Sequence, residues 1–243
     1  MKSMKVLVIG LDGATWDILK PWANEGKLPT IKYLMDNGCW GYLESSIPPV
    51  TFPAWKCYST GKNPGKLGVY WWAYPDFKNK TLKVNDSRSF KSQELWDYLG
   101  KFGKICGVIG MPTTYPPKKI NGFMVSEFNP SNSGFTYPSQ IESELKKLGF
   151  KGEFMDYHGK TKKEVFDYCL KSIKERFTAA KYLIKKYNPD FMHLTIFHID
   201  AIQHFFWEDM VNNDPDFGDA IERAWKLIDK EIKHCLLYTS PSP

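Results

Sequence analysis

The sequence predicts an α/β fold in which helices flank a mostly parallel central sheet. Three short runs, at residues 5–10, 104–109 and 190–197, are almost continuously apolar, which is typical of parallel strands covered on both faces. Segments with helical spacing separate these runs, as in other α/β proteins. The chain has 243 residues, of which 42% are hydrophobic and 25% charged, so it can form one large globular domain or two small ones.

Capping residues and apolar spacing define the predicted helices. In chain order they are residues 15–23, 29–37, 51–60, 92–101, 138–148, 161–187 and 216–234. A proline in the first turn and a glycine after the last turn delimit the second helix, and Thr51 at the N-cap and Gly61 at the end delimit the third. The two longest helices show apolar residues at helical spacing along one face.

The segments between these helices complete the predicted order. Residues 39–45 predict a strand, and residues 61–90, which are rich in glycine, asparagine, proline and aromatic residues, predict a loop with short strands. Three prolines in residues 111–117 predict a rigid turn. Residues 235–243 break the amphipathic pattern, so we expect one domain over 1–234 and a non-native or disordered tail over 235–243.

Composition argues against several classes of protein. No apolar stretch reaches the roughly 20 residues of a membrane-spanning helix, and the N-terminal apolar run is too short for a signal peptide, so we expect a cytoplasmic protein. The five cysteines form no CxxC pair, which argues against a thiolate zinc site and against a disulfide framework. The net charge of +6 comes mainly from scattered lysines, so we expect no nucleic-acid polymer as a partner. The sequence leaves the oligomeric state open.

Polar residues with catalytic potential follow the apolar runs, where ligands gather in an open parallel sheet. Asp12 comes directly after the first run, Thr51 lies at a predicted helix N-terminus, and Asp200 and His204 follow the last run. On a helix, Asp200 and His204 lie one turn apart on one face and can bind one metal ion. Each position also has a purely structural interpretation. Asp12 could be a turn residue and Thr51 an ordinary N-cap. Asp200 could be a capping aspartate, with His204 an ordinary histidine on the helix face.

Together these four residues offer carboxylate, hydroxyl and imidazole ligands, which suit divalent cations such as Zn²⁺ or Mn²⁺. His193 lies inside an apolar run and is expected in the core, whereas His198 is close enough to the site that its role stays open. The aromatic run at residues 70–72 predicts either the wall of a substrate cleft or packing within the loop.

Five motifs occur in a fixed order between residue 4 and about residue 230. They are Val8-Ile-Gly-Leu-Asp12-Gly-Ala, Leu28-Pro-Thr, Pro48-Pro-Val-Thr51-Phe-Pro-Ala-Trp, Thr60-Gly-Lys-Asn-Pro-Gly65 with Gly68-Val, and Asp200-Ala-Ile-Gln-His204-Phe-Phe-Trp. In this order they resemble the type I phosphodiesterase/nucleotide pyrophosphatase family of the alkaline phosphatase superfamily. The resemblance implies an alkaline phosphatase-like sandwich and a small-molecule phosphoester as substrate. It also implies Thr51 as nucleophile and two divalent metal ions, one held by Asp12 and Thr51 and the other by Asp200 and His204.

Two departures from the family pattern affect the predicted function. Many relatives have an asparagine three residues after the nucleophile, where Ala54 stands here, so the substrate preference of nucleotide-cleaving members does not carry over. The family completes its metal shells with a later Ser-Asp-His-Gly segment and a further histidine, and nothing after His204 matches either. Each ion would then have two protein ligands where catalytic sites normally have three. We therefore expect a C-terminally truncated fragment that is weakly active or inactive. A phosphotransferase or mutase, and a non-catalytic binding relative, stay open as alternatives.

Overall fold

The computed structural model describes residues 6–127, 133–152 and 156–239. The strands are β1 (Val6–Leu11), β2 (Ala73–Asp76), β3 (Thr81–Val84), β4 (Cys106–Ile109), β5 (Gly122–Val125), β6 (Thr136–Tyr137) and β7 (Phe191–Ile196). The helices are α1 (Trp16–Asn24), α2 (Pro29–Asn37), α3 (Thr51–Thr60), α4 (Pro64–Leu67), α5 (Leu95–Lys101), α6 (Gln140–Lys147), α7 (Lys162–Tyr187), α8 (His198–Val211) and α9 (Ala220–Thr239).

Five strands form the central sheet in the order β1-β7-β4-β5-β6. All neighbouring strands run parallel except β5 and β6, which confirms the predicted mostly parallel sheet. All six residues of β7 are buried, because neighbouring strands flank β7 on both sides and other elements cover both faces of the sheet. β1 lies beside β7 with Leu11 opposite Ile196, so the residues that follow these two strands meet at one edge.

The two faces of the sheet pack against different helices. Helices α7, α8 and α9 contact one another and form a large core with Met192, Leu194 and Ile196 of β7. On the opposite face, a smaller core contains Trp96 from α5, with Trp55 from α3 packed against it. The predicted arrangement of helices on both sides of the sheet is therefore confirmed.

Helix α2 is attached to α9 through its N-terminus. The carboxylate of Asp229 accepts hydrogen bonds from the backbone amides of Thr30 at 3.1 Å and Ile31 at 2.8 Å. The first amides of a helix have no partner within the helix, and burial makes an unpaired amide costly. Asp229, which is 3% exposed, thus caps a helix that lies far from it in the sequence.

The strand predicted over residues 39–45 was wrong. These residues have no regular secondary structure, and Leu43 is 95% exposed. A strand requires hydrogen bonds to a neighbour, and within the described residues no strand pairs with this segment. The sequence also did not predict β5 and β6. With only two residues, β6 is too short to show a period.

All of the predicted helices except the last agree with the observed helices to within three residues at each end. Helix α9 begins at Ala220 and ends at Thr239, beyond the predicted end at residue 234. Cys235 is buried in the core at 1% exposure. Residues 240–243 lie outside the described residues, so the predicted tail over 235–243 stays a prediction. None of the described helices combines the length and apolar composition needed to cross a membrane.

Candidate active site

A cavity of about 810 Å³ lies at the carboxyl ends of β1 and β7. Its lining includes Asp12, Thr51, Asp200 and His204, the four residues predicted for the site. They come from the turn after β1, the first turn of α3 and the first two turns of α8. The fold therefore brings together three segments that lie far apart in the sequence.

Asp12 is a buried carboxylate at the end of β1. Its backbone amide donates to the carbonyl of Ile196 at 3.3 Å, and its Oδ2 accepts a hydrogen bond from Trp55 Nε1 at 3.1 Å. Burial, and after it the charge of Asp200, raise the pKa of Asp12 to about 7, although the Trp55 hydrogen bond lowers it. Two nearby carboxylates in a poorly solvated place favour the approach of a cation.

Gly13 holds the turn after β1 close to helix α8. Its φ is +67°, and a Cβ built on it would lie 2.7 Å from Asp200 Oδ1 and 2.8 Å from Gln203 Nε2. A residue with a side chain would therefore meet both backbone strain and a steric clash. Glycine permits the close approach that brings Asp12 next to Asp200.

Thr51 is the first residue of α3. The prediction that Thr51 is the N-cap was wrong, because Val50 occupies that position with an extended backbone, and its carbonyl accepts the amide of Ala54 at 2.9 Å. Valine has no polar side-chain atom, so the cap makes no side-chain hydrogen bond, and the Thr51 hydroxyl belongs to the first turn of the helix rather than to the cap. It lies at the positive end of the helix dipole, where an oxygen that gains negative charge is stabilised.

Asp200 and His204 lie one turn apart on α8, with His204 Nε2 3.5 Å from Asp200 Oδ2. The side chain of Asp200 is 19% exposed, whereas that of His204 is 77% exposed. Burial raises the pKa of Asp200, and His204 opposes this shift. The pair therefore presents one sheltered carboxylate and one imidazole that is open to solvent.

His193 within β7 and His198 just after it do not line the cavity. His193 is buried among the rings of Trp55, Tyr58 and Trp96, as predicted for a core histidine. Burial lowers the pKa of His193 to about 4, so it is neutral. His198, whose role the sequence left open, is fully buried and does not belong to the cavity lining.

Two residues outside the predicted set connect the parts of the site. Trp55, one helical turn after Thr51, links α3 to Asp12 through the hydrogen bond described above. Gln203 links α8 to the turn after β1, because its Nε2 donates to the carbonyl of Gly13 at 2.7 Å. Their spacing was the available signal, since each lies on a helix within four residues of a predicted site residue.

Aromatic side chains form part of the cavity wall. Tyr58, Trp71 and Trp72 all contribute to the lining, and Trp71 is 58% exposed. Trp72 also packs against Phe52, with 4.1 Å between the ring centroids. Of the two predictions for residues 70–72, the structure favours the cleft wall for Trp71 and both roles for Trp72.

The donor types at the site fit a divalent cation. Two carboxylates, a hydroxyl and an imidazole line one cavity. The buried carboxylate of Asp12 and the partly buried carboxylate of Asp200 repel each other when both are ionised. Within the described ranges, however, no group of three or more His, Cys, Asp or Glu side chains is placed to hold a metal ion. A metal ion held at this cavity would need further ligands beyond these four side chains.

Comparison with solved structures shows a shared fold. Phosphonoacetate hydrolase from Sinorhizobium meliloti 1021 in complex with phosphonoformate has a TM-score of 0.71 at 16% identity, over 98% of this chain and 54% of the hydrolase. Its complex with phosphonoacetate has a TM-score of 0.68 at 15% identity, over 98% and 54% of the two chains. Murine ectonucleotide pyrophosphatase/phosphodiesterase 5 has a TM-score of 0.47 at 19% identity, over 96% and 53%. The chain has the alkaline phosphatase-like fold of the hydrolase and spans about half the length of these solved proteins.

Comparison at the sequence level identifies the family. A comparison with curated protein sequences found no match. The family model for type I phosphodiesterase/nucleotide pyrophosphatase matches residues 6–236, which include the cavity and all four predicted site residues. The chain belongs to the type I phosphodiesterase/nucleotide pyrophosphatase family.

Proposed function

We propose that this chain forms part of the active site of a metal-dependent phosphoester hydrolase in which Thr51 is the nucleophile. The observation that carries the proposal is that Asp12, Thr51, Asp200 and His204 line one cavity, although they come from three segments. Family membership supports a phosphoester as the substrate.

Asp12 and Thr51 would hold one divalent ion, and Asp200 and His204 a second. Zn²⁺ fits this mixture of oxygen and nitrogen donors, and Mn²⁺ is the alternative. When bound, such ions supply positive charge that activates a hydroxyl and stabilises the oxygens of a transferring phosphoryl group. Further ligands would be needed to complete both shells.

Thr51 would perform the covalent step. Its Oγ attacks phosphorus as the bond to the leaving alcohol breaks and the alcohol oxygen takes the electron pair. The hydroxyl proton passes to solvent, and a phosphorylated threonine forms. A water molecule then attacks phosphorus, the bond to Thr51 breaks, and the threonine recovers a proton. The first amides of α3 would stabilise negative charge in both steps.

The cavity wall fits a small phosphoester with an apolar or ring-containing group. Trp71 and Tyr58 offer ring surfaces, and Ala54 offers no side-chain donor to the phosphate. A small molecule rather than a nucleic-acid polymer is the proposed substrate. The cytoplasmic location stays a prediction.

The test uses bis(p-nitrophenyl) phosphate with the full chain and added Zn²⁺ or Mn²⁺. Because turnover can be slow with incomplete metal shells, the primary measurement is one equivalent of released p-nitrophenol and the matching mass increase on the peptide that contains Thr51. We expect Thr51→Ala to lose both signals, Thr51→Ser to retain them in part, and a chelator to remove them.

Thr60→Ala, at the far end of α3, is the matched control because Thr60 does not line the cavity. Modification of the Thr51→Ala protein at the wild-type level would contradict the role of Thr51. Unchanged reaction in the presence of a chelator would contradict the role of metal ions.

A further inference from the structure

We propose that Gln203 is a positioning residue that holds the turn after β1 against helix α8 and so sets the separation between the carboxylates of Asp12 and Asp200. Gln203 forms a hydrogen-bonded chain with Gly13 and Trp225, which we call the Gln203 clamp. This inference rests on the proposed function, because it gives Gln203 a role in placing two metal ligands.

The hydrogen bonds of the Gln203 clamp fix the orientation of the amide. Trp225 Nε1 donates to Gln203 Oε1 at 3.4 Å, and Gln203 Nε2 donates to the carbonyl of Gly13 at 2.7 Å. An indole can only donate and a backbone carbonyl can only accept. The two partners therefore require the same amide orientation, and reversing the amide would break both contacts.

The Gln203 clamp is anchored in the core. Trp225 lies on α9 and is fully buried within the large core cluster. Trp225 is hydrogen-bonded to Gln203 on α8, and Gln203 is hydrogen-bonded to Gly13, the residue next to Asp12. The position of Asp12 is thereby coupled to the packing of α8 and α9 in the large core.

The turn after β1 packs closely against α8, which restricts its movement while the hydrogen bonds of the Gln203 clamp are formed. A Cβ on Gly13 would lie 2.8 Å from Gln203 Nε2 and 2.7 Å from Asp200 Oδ1, so backbone and side chains are in direct contact. Asp12 and Asp200 repel each other when both are ionised, which favours movement of the turn away from α8. The short Gln203–Gly13 hydrogen bond opposes this movement, as residues behind a metal site commonly do for its ligands.

Two substitutions separate the functions of the amide. Gln203→Met keeps a similar length but removes both hydrogen bonds. Gln203→Glu keeps an acceptor for Trp225 but removes the donor to Gly13, and it adds a negative charge that on electrostatic grounds alone would attract a cation. Gln140→Met is the matched control, because Gln140 is an exposed residue at the start of α6.

The first measurement is hydrogen exchange of the metal-free full chain. In both Gln203 variants we expect the amides of residues 11–15 to exchange about tenfold faster, while those of β7 are unchanged. Unchanged exchange at residues 11–15 would overturn the clamp. An equal increase throughout β7 would also overturn it, because Gln203 would then stabilise the domain in general.

The second measurement is the affinity for Mn²⁺ by titration calorimetry at pH 8. We expect both Gln203 variants to bind about 10- to 100-fold more weakly than wild type, and Gln140→Met to bind equally well. Tighter Mn²⁺ binding by Gln203→Glu would overturn the proposal, because the added negative charge, and not the position of the ligands, would then determine the affinity. If the wild type binds no Mn²⁺ while residues 11–15 still exchange faster in the variants, the proposal that Asp12 and Asp200 hold metal ions in this chain fails, and the positioning role of Gln203 is retained.

Discussion

Replacing Asp12 with asparagine should stabilise the metal-free protein above neutral pH while it removes a proposed metal ligand. Asp12 is 8% exposed, and burial together with Asp200 raises the pKa of its carboxyl from 3.8 to about 7. Between these values the folded protein holds a proton that the unfolded chain has released. The carboxyl of Asp12 therefore lowers the stability of the fold progressively as pH rises from about 4 to about 7.

The size of this effect follows from the two pKa values. The gap between 3.8 and about 7 corresponds to about 4 kcal/mol, at about 1.36 kcal/mol per pKa unit. Asparagine has no charge to bury, and its Oδ1 can still accept the hydrogen bond from Trp55. Asp12→Asn should thus raise the free energy of unfolding by up to about 4 kcal/mol at pH 8 and by less than about 1 kcal/mol at pH 4.

Urea unfolding followed by tryptophan fluorescence measures this difference in chelator-treated protein at pH 4, 6 and 8. Asp216→Asn is the control, because Asp216 is an exposed aspartate outside the cavity, and it should leave the pH dependence unchanged. A gain of equal size at all three pH values, or no gain at pH 8, would refute the argument that a buried charge at Asp12 is the cause.

Two further substitutions test contacts at the site, and a third tests the cap of α2. Gly13→Ala should lower the free energy of unfolding by about 2 kcal/mol or more, because alanine would be strained at this positive φ and its Cβ would clash with side chains of α8. A loss below about 0.5 kcal/mol in urea unfolding would contradict this prediction. Trp55→Phe should raise the pKa of Asp12 further, since the indole hydrogen bond lowers this pKa. Carboxyl carbon NMR titration of the metal-free protein measures the change, and a lower pKa of Asp12 in the variant would contradict the prediction. Asp229→Ala should cost about 2 to 3 kcal/mol, because two buried amides of α2 lose their acceptor; urea unfolding measures the loss, and a neutral result would show that water replaces the cap.

The parts of the fold that could be predicted are those whose local signal does not depend on a partner. The strand at β7 was predictable because its residues form an apolar run. Helix α7 was predictable because its apolar residues recur at helical spacing along one face. The structure adds a capping box of Thr161 and Glu164 at its start. The strand expected at residues 39–45 failed because a strand needs hydrogen bonds from a neighbour, which no local pattern guarantees.

The residues of the candidate site also fall into those that the sequence predicted and those that it did not. The sequence indicated Asp12, Thr51, Asp200 and His204, because polar residues after buried strands and at helix starts are exposed to ligands. It could not establish Trp55 or Gln203 as supporting residues, although their spacing placed them near the site. Their roles depend on hydrogen bonds to residues on other elements, and such contacts exist only after the chain has folded.

The sequence by itself determined the class of fold, the family and the chemistry of the donor groups, because apolar runs, capping residues and motif order are local properties of the chain. Only the tertiary structure decided that the donors line one cavity, that burial and Asp200 together raise the pKa of Asp12, and that Gln203 joins the turn after β1 to α8. These properties depend on distances between residues that are remote in sequence, and packing of the sheet against its helices sets those distances.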